Sequence, residues 1–488
     1  MNPLWTLRDV ALLSPEIACL LGALAVLGID MPLRPQKSRR AVEGVAALAL
    51  FAAALAAGAR LVGGGGTAFG GLVRDEALSN ALRIGLALSG LATLVLARRV
   101  GRALGLLHAE FYALLLFAVG AMDLLTVSDD LMLAFVALET FSLAMYVLAG
   151  FNKSFSGNRE AALKYFLLGA LAAAFFLLGL ALVFGGAGSV RLESVRALTA
   201  QTGLAPERLE LLAVGLVLCS AALAFKVGAA PFHVWVPDVY TGATTPVAAF
   251  LSAGAKLAGF GALLRVAGAA GRGSAALEAV FGLMALASLV AGNLGALRQN
   301  NLKRLLAYSS VAQTGYAMVA LVALDRSDAG AAAAVTAYVL VYAAMAFLFF
   351  GLVTLVESRP EFQGTERGAT LADIQGLGFE RPWVGLIFGV AAISMAGFPP
   401  TAGFIAKFEI FKAAFSGGHT WVAVLALLNN ALSAAVYLRV LVALYMLPVP
   451  GERGSARFGG SLGLLTAALA LGLLLLGILP SNLAMPGL

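Results

Sequence analysis

Long apolar runs recur along nearly the whole chain, separated by short polar stretches that carry most of the charge. A helix that crosses hydrocarbon needs ~20 mostly apolar residues. Fourteen stretches meet that requirement, near 10–30, 41–62, 79–98, 106–126, 130–150, 160–186, 209–230, 241–268, 275–297, 301–324, 329–357, 382–416, 419–447 and 459–480. The twelfth is long and is interrupted by Pro399-Pro400. The longest intervening loops, near 187–208 and 358–381, are too short to hold a soluble domain. The expected architecture is therefore all-α: a single polytopic membrane domain of about fourteen transmembrane helices.

Composition agrees with the pattern. Of 488 residues, 61% are apolar and 12% charged, against ~45–50% and ~25% in soluble domains. The net charge of +7 fits basic loops beside a lipid bilayer and does not call for nucleic acid. One set of loops carries Arg34, Lys37, Arg39, Arg40, Arg98, Arg99, Arg102, Lys153, Arg159, Arg298, Lys303, Arg304, Arg359, Arg367, Arg381, Arg453 and Arg457, seventeen in all. The other carries Arg8, Arg60, Arg74, Arg83, Arg191, Arg196, Arg208, Arg265, Arg272 and Arg326, ten in all. The positive-inside rule puts the first set in the cytoplasm and both termini outside. The N-terminus has one Arg and no clear cleavage site, so it reads as a retained first span.

Several cofactor classes find no ligands. Cys19 and Cys219 lie far apart in apolar runs and form no CxxC. His108 and Glu110 make an H-x-E fragment without a third ligand, so no metal is expected. The glycine-rich stretch 63–71 lacks the G-x-G-x-x-G spacing of a dinucleotide loop and reads as a flexible loop. The residues can move charge, but they hold no redox centre.

Five ionisable groups remain within apolar spans: Glu139, Lys164, Lys226, Lys256 and Lys407. Each costs ~2.5–3.5 kcal/mol at a helix centre. Unpaired, the five would together cost on the order of 15 kcal/mol, comparable to the stability of a whole domain. They must meet partners or water inside the protein. Lys164, a few residues from its loop, can also snorkel to the interface. A buried lysine whose carboxylate partner moves away sheds its proton, so a chain of such lysines is a minimal proton-translocating device. "GAAPF" after Lys226 and "AGFPPTAGF" before Lys407 should break two helices about 170 residues apart. Irregular backbone at membrane depth survives only inside protein or beside water. Broken helices in corresponding halves of a chain point to a transport site. Two repeats of about five helices follow, 106–270 and 271–447, with three helices before them in 1–105 and one after at 459–480. His233, beside the first break, and Tyr308, Ser309, Ser310 and Gln313 on the tenth span are secondary relay candidates, although such groups also bond helices together.

Five stretches carry a resemblance that covers roughly 106–447: EFYALLLFAVGAMDLLTVSDDLMLAFVALETFSLAMYVLAGF, EAALKYFLLGALAAAFFLLGLALVFG, FKVGAAPFHVWVPDVYTGATTPVAAFLSAGAKLAGF, NNLKRLLAYSSVAQTGY and GFPPTAGFIAKFEIFKAAF. They resemble the antiporter-like proton-translocating subunits of bacterial NADH–quinone oxidoreductase (respiratory complex I), the N type in particular. The resemblance implies fourteen helices, two inverted five-helix repeats, and breaks in the seventh and twelfth. It implies that Glu139 pairs with Lys226, that Lys164 lies near the pair, that Lys256 connects the halves, and that Lys407 serves the exit. M-type relatives typically carry Glu at the position of Lys407, and L-type relatives run on into a long lateral helix where this chain stops. Gln313 stands where many relatives have His. Gln cannot titrate, so water or neighbouring hydroxyls would serve there.

The resemblance also implies a place in the bacterial inner (plasma) membrane, among the other membrane and peripheral subunits of the complex. FMN, iron–sulfur clusters, NADH and quinone would belong to those partners, with no cofactor on this chain. The competing readings are a subunit of a stand-alone multisubunit cation/proton antiporter, and a non-conducting structural subunit.

Overall fold

The computed structural model describes residues 6–31, 35–104, 106–201, 205–271, 275–324, 330–362, 364–449 and 458–479, the side chains of 35–39 and 102–103 excepted. Arg34, Arg272, Arg326, Arg453 and Arg457 lie outside the described residues, as do the side chains of Lys37, Arg39 and Arg102.

The first expected span divides into α1 (Leu7–Leu12) and α2 (Ser14–Asp30), followed by α3 (Pro35–Gly63). The glycine-rich stretch expected to be a flexible loop is an ordered hairpin, β1 (Gly66–Ala68) and β2 (Val73–Asp75), in the register Gly66↔Asp75 and Ala68↔Val73. Gly70 and Gly71 turn it with φ of 64° and 92°, values that side chains rarely adopt. Asp75 fixes its end through salt bridges to Arg60 and Arg83, each 3.0 Å. Helix α4 (Ala77–Leu104) follows.

The first half of the main body holds α5 (Ala109–Val127), α6 (Leu131–Ala149), α7 (Ser156–Ala187), the short α8 (Leu192–Thr199), α9 (Pro206–Val227), α10 (Trp235–Gly242) and α11 (Thr245–Ala269). Asp130 caps α6 by accepting from the backbone of Met132 and Leu133 at 2.9 and 3.0 Å. Helices α7 and α9 touch backbone to backbone: a Cβ on Gly179 would lie 2.6 Å from the Gly215 carbonyl oxygen.

The second half holds α12 (Ala275–Leu297), α13 (Leu302–Leu321), α14 (Gly330–Glu357), a single turn α15 (Leu377–Glu380), α16 (Pro382–Ala396), α17 (Ala402–Ser416) and α18 (Thr420–Tyr445), with α19 (Gly460–Ile478) last. Helices α12 and α13 repeat the close approach, with Gly292 against the backbone of Ala312.

Among the described residues, eleven helices are long and apolar enough to cross a membrane. The chain is an all-helical integral membrane protein apart from its small hairpin. Helices α16 and α17 have 15 residues each, about 22 Å, short of the ~30 Å hydrocarbon core. Helix α2 stops at 17 residues, and α13 starts with Lys303 and Arg304 inside its first turn.

The described members of the two basic sets separate to opposite ends. At one end Arg304 pairs with Asp238 at 2.9 Å, Arg367 with Asp373 at 2.7 Å, and Arg99 reaches Ser358. Glu366 clamps the start of α7 by accepting from Ser156 N at 2.8 Å and Ser156 Oγ at 2.9 Å. At the other end Arg83 pairs with Glu16 and Asp75, Arg196 with Asp129, and Arg265 lies 3.5 Å from Asp129 and 3.6 Å from Glu76.

Candidate proton-translocation site

Both helix breaks use the same backbone device. Helix α9 ends at Val227 and Gly228 turns left-handed at φ 72°; α16 ends at Ala396 and Gly397 turns left-handed at φ 82°. A left-handed glycine closes a helix by returning its N–H to earlier carbonyls, here Ala224 and Phe225 at the first break and Ile393 and Ser394 at the second. The last carbonyls of each helix remain without helical donors. They also carry the negative end of the helix dipole.

Lysines fill that need. Lys256 Nζ on α11 donates to the Val227 carbonyl at 2.7 Å and to Thr314 Oγ1 at 2.6 Å. Lys407 Nζ on α17 donates to the carbonyls of Met395 at 3.0 Å and Ala396 at 3.2 Å, and to Asn430 Oδ1 at 2.8 Å. The rest of the irregular backbone is held by protein: Ser288 Oγ accepts from Ala230 N at 2.8 Å, and Trp235 Nε1 donates to the Phe225 carbonyl at 2.9 Å.

Lys226 is placed differently. It lies 5.3–5.7 Å from the ring centres of Phe141, Tyr146, Tyr165 and Phe225, and donates to Tyr146 Oη at 3.2 Å. Such rings attract a cation by their faces. Lys226, Lys256 and Lys407 are 1%, 3% and 3% exposed, so all three are withdrawn from lipid.

Glu139 is not in contact with Lys226 in this conformation. No ion pair within 4.0 Å joins them among the described residues, and Glu139 Oε1 is buried without a hydrogen-bond partner. Tyr146 stands seven residues further along α6, on the same helical face, and long side chains in a helix lean toward its N-terminus. The Tyr146 hydroxyl is thus directed back toward the turn that carries Glu139.

Two hydrogen-bonded clusters lie between Lys256 and Lys407, one on Thr314 and one on its chain neighbour Gln313. Thr314 Oγ1 also donates to the Val227 carbonyl at 2.8 Å. Next to it, Gln313 Nε2 donates to Tyr437 Oη at 2.9 Å and to the Met395 carbonyl at 3.3 Å, the carbonyl that Lys407 also uses. Tyr338 donates to Gln313 Oε1, and Ser309 bonds Tyr437. Gln313 therefore contributes amide hydrogen bonds to the second cluster. Tyr146, Thr314, Tyr338, Tyr437 and Asn430 were missed in the sequence, where polar groups in apolar helices carry no mark of which helix they face.

Besides Glu139 and Lys226, three expected site residues stand apart from these clusters. Lys164 is not beside Lys226: it bonds Asp238 Oδ2 at 2.7 Å and Glu160 Oε1 at 2.6 Å, with its side chain 41% exposed. Its neighbour Tyr165 takes the inward position, because one residue turns a helix by about 100°. Tyr308 packs on α12 at Gly295. His233 is half-buried at the surface of the first break, its Nδ1 without a partner.

Residues 128–433 match the family described as NADH:quinone oxidoreductase/Mrp antiporter, TM. The chain is 38% identical over 486 residues to NADH-quinone oxidoreductase subunit N 1 of Solibacter usitatus, covering 98% of this chain and 96% of that protein. It is 40% identical over 375 residues to subunit N of Trichlorobacter lovleyi, covering 77% and 75%. The chain belongs to this family. It also superposes, with a TM-score of 0.79 and 35% identity, on a chain of respiratory complex I from Thermus thermophilus with bound aureothin, covering 96% and 97%. The family match spans both breaks and all three buried lysines, while Tyr437 lies just beyond it.

Proposed function

We propose that the chain is the N-type proton-translocating membrane subunit of NADH–quinone oxidoreductase, and that Glu139, Lys226, Lys256 and Lys407 carry the proton. The observation that supports this most is the burial of three lysines at the two helix breaks, where Lys256 meets the free Val227 carbonyl and Lys407 the free Met395 carbonyl. An inert scaffold gains nothing from burying three ammonium groups, each costing ~2.5–3.5 kcal/mol at the centre of a span.

The working stroke is a change of partner at Lys226. In one state Lys226 rests against Tyr146 and its ring cage. In the other it meets Glu139. Coulomb attraction at ~4 Å and an effective dielectric of ~20 is ~4 kcal/mol. That exceeds the ~2.3 kcal/mol needed to move one charge against 100 mV. Making and breaking this contact therefore suffices to drive a proton toward Lys256 and on to Lys407. Lys164, with Asp238 and Arg304, anchors the basic end of the bundle.

The same reading assigns fourteen membrane crossings, the α16–α17 pair counted as one, with inverted repeats over 106–270 and 271–447. It puts the basic end in the bacterial cytoplasm and both termini outside. Oxidation of NADH by FMN and iron–sulfur clusters, and reduction of quinone, take place in partner subunits, and this chain holds no redox centre. Purification of the native complex tests the assignment: flavin and iron–sulfur subunits should accompany the chain. A stable assembly of membrane subunits alone, exchanging cations without NADH, would favour the stand-alone antiporter. Proton uptake into inside-out vesicles, driven by NADH, tests the residues.

A further inference from the structure

Glycine is a poor residue inside a helix, because it loses the most backbone freedom there. Gly169 nonetheless stands buried in the interior of α7. A Cβ on it would lie 1.9 Å from Tyr146 Oη, 2.7 Å from Tyr146 Cζ and 3.1 Å from Tyr146 Cε1. The first is the shortest such distance at any described glycine, and the three nearest atoms all belong to one side chain. Tyr146 on α6 therefore lays its phenol end on bare α7 backbone. Tyr165 and Phe166, one helical turn earlier on α7, meet the same ring edge to face, with centres 4.9 and 5.7 Å away and planes at 85° and 81°. Positions 165 and 166 are four and three residues before 169, so they are its neighbours on the helix surface. Two rings and a gap thus make a seat for one more ring.

The seat is itself held in place. The Trp235 ring stacks on Tyr165 at 4.5 Å and 20°, and lies 5.5 Å from Phe225. Trp235 Nε1 donates to the Phe225 carbonyl at 2.9 Å, which ties it to the broken end of α9. Tyr165 is thus fixed by a buried ring that is hydrogen-bonded to the break. The seated Tyr146 hydroxyl accepts from Lys226 Nζ at 3.2 Å, the long end of the ~2.7–3.2 Å range. Real Cβ atoms stay 3.0 Å or more from other heavy atoms, so one at position 169 expels the hydroxyl from its place. A bond already at full stretch has no slack for that.

We infer that Gly169 is a positioning residue for Lys226: its bare backbone seats the Tyr146 ring, and the seated hydroxyl gives the lysine its resting partner. The inference rests on the translocation reading above. Gly169 acts through Tyr146 and takes no part in the chemistry. With the seat filled by a side chain, the hydroxyl leaves Lys226 and Glu139 is the one partner of the switch that remains. The exchange between partners then stops. The seat also accounts for a tyrosine at this place on α6. A phenylalanine face would attract the cation, whereas a hydroxyl that reaches the lysine needs the room that glycine leaves.

Vesicles containing the whole complex provide the test. Gly169→Ala should lower NADH-driven proton uptake about tenfold, as expected for losing one hydrogen bond to a charged group, with assembly intact on a native gel. Tyr146→Leu should fall to a similar level. In the Tyr146→Leu background, Gly169→Ala should change uptake by less than about twofold, because residues that act through one contact are not additive. The link to the lysine is read in Lys226→His, whose shorter side chain gives up the hydroxyl. There too Gly169→Ala should change the remaining uptake by less than about twofold. A glycine kept only for helix packing would cost the same in every background, and equal losses overturn the inference, as does wild-type uptake in Gly169→Ala. If Gly169→Ala does not assemble, the double variant decides: assembly regained with Tyr146→Leu supports the seat, and assembly still lost overturns it. Lys226→Ala separates the two levels. If it abolishes pumping while Gly169→Ala pumps normally, the seat alone is wrong, and if it pumps fully, the translocation reading falls first.

Discussion

At the first break the lysine of the broken helix, Lys226, reaches one oxygen, the Tyr146 hydroxyl, and is otherwise wrapped by rings. At the second break Lys407 reaches three, two backbone carbonyls and Asn430. Lys256, between them, reaches two. An ammonium has three donors, so the match rises from one to three between Lys226 and Lys407. The difference concerns freedom to move. Lys226 gives up one hydrogen bond to swing toward Glu139, whereas Lys407 must break three. On the proposed reading the first break holds the mobile element and the second a fixed receiver.

The largest effect should come from the receiver. Lys407→Ala should leave an assembled complex that pumps almost nothing in vesicles, with NADH oxidation reduced as well if the two are tightly coupled. Full pumping would remove Lys407 from the path and cancel the contrast. Lys407→Glu should retain part of the activity, because a carboxylate at that depth can still take up and release a proton.

Next come the mobile pair. Glu139→Gln and Lys226→Ala should each impair pumping severely, and the double variant should be little worse than either single one. Additive losses would show that the two act independently. Lys226→Arg should fail where Lys226→His partly succeeds, because Arg stays protonated throughout. Tyr146→Phe should be milder than Lys226→Ala, since it removes the resting hydrogen bond and keeps the ring. A defect as deep as that of Lys226→Ala would make Tyr146 a member of the path.

A smaller effect is expected at Asn430. Asn430→Leu removes one of three acceptors from Lys407, and a hydrogen bond to a charged group contributes ~1.5–3 kcal/mol. Pumping should slow without stopping. The corresponding loss at Lys256, from Thr314→Val, should be deeper, since one acceptor of two is removed. The reverse order would contradict the graded match.

The smallest effect lies where Glu366 clamps the start of α7. The Ser156 backbone N–H, and then its hydroxyl, hold the Glu366 carboxyl below its ordinary range. A depressed carboxylate stabilises the clamp above its unfolded pKa and loses it as pH falls through the folded value. The protection factor of the Ser156 amide should therefore stay high at neutral pH and fall only in acid, and Glu366→Gln should flatten that dependence. A clamp that loosens on the alkaline side would contradict the assignment.

The three lysines were legible because a charge inside an apolar run has few innocent explanations. Their partners were not. Thr314, Tyr338 and Tyr437 resemble ordinary helix-bonding residues until the facing helix is known, and carbonyls freed by a break leave no trace in side-chain chemistry. Lys164 shows how finely a helix sorts its residues: the lysine faces outward to Asp238 while Tyr165, one position on, faces Lys226. The hairpin at 66–75 was read as loose because glycine suggests freedom, yet the buried Asp75 and its two arginines make that stretch an ordered element. The breaks themselves were readable from proline and glycine alone, and both fall where expected.

The contact between Gly179 and Gly215 has a mechanical consequence. Two helices that touch through bare backbone have little room to slide at that point, so the glycine pair couples α7 closely to α9. Tyr165 rides on one member and Lys226 on the other, and so the lysine and part of its aromatic wall travel together under any tilt. Phe141, Tyr146 and Glu139 stand on α6, which packs on α7 through the Tyr146 and Tyr165 rings, 4.9 Å apart. A displacement of this pair against α6 would change the distances of both Lys226 and Tyr165 to Tyr146. The glycine pair thereby focuses a diffuse strain in a long helical bundle on the Tyr146 ring.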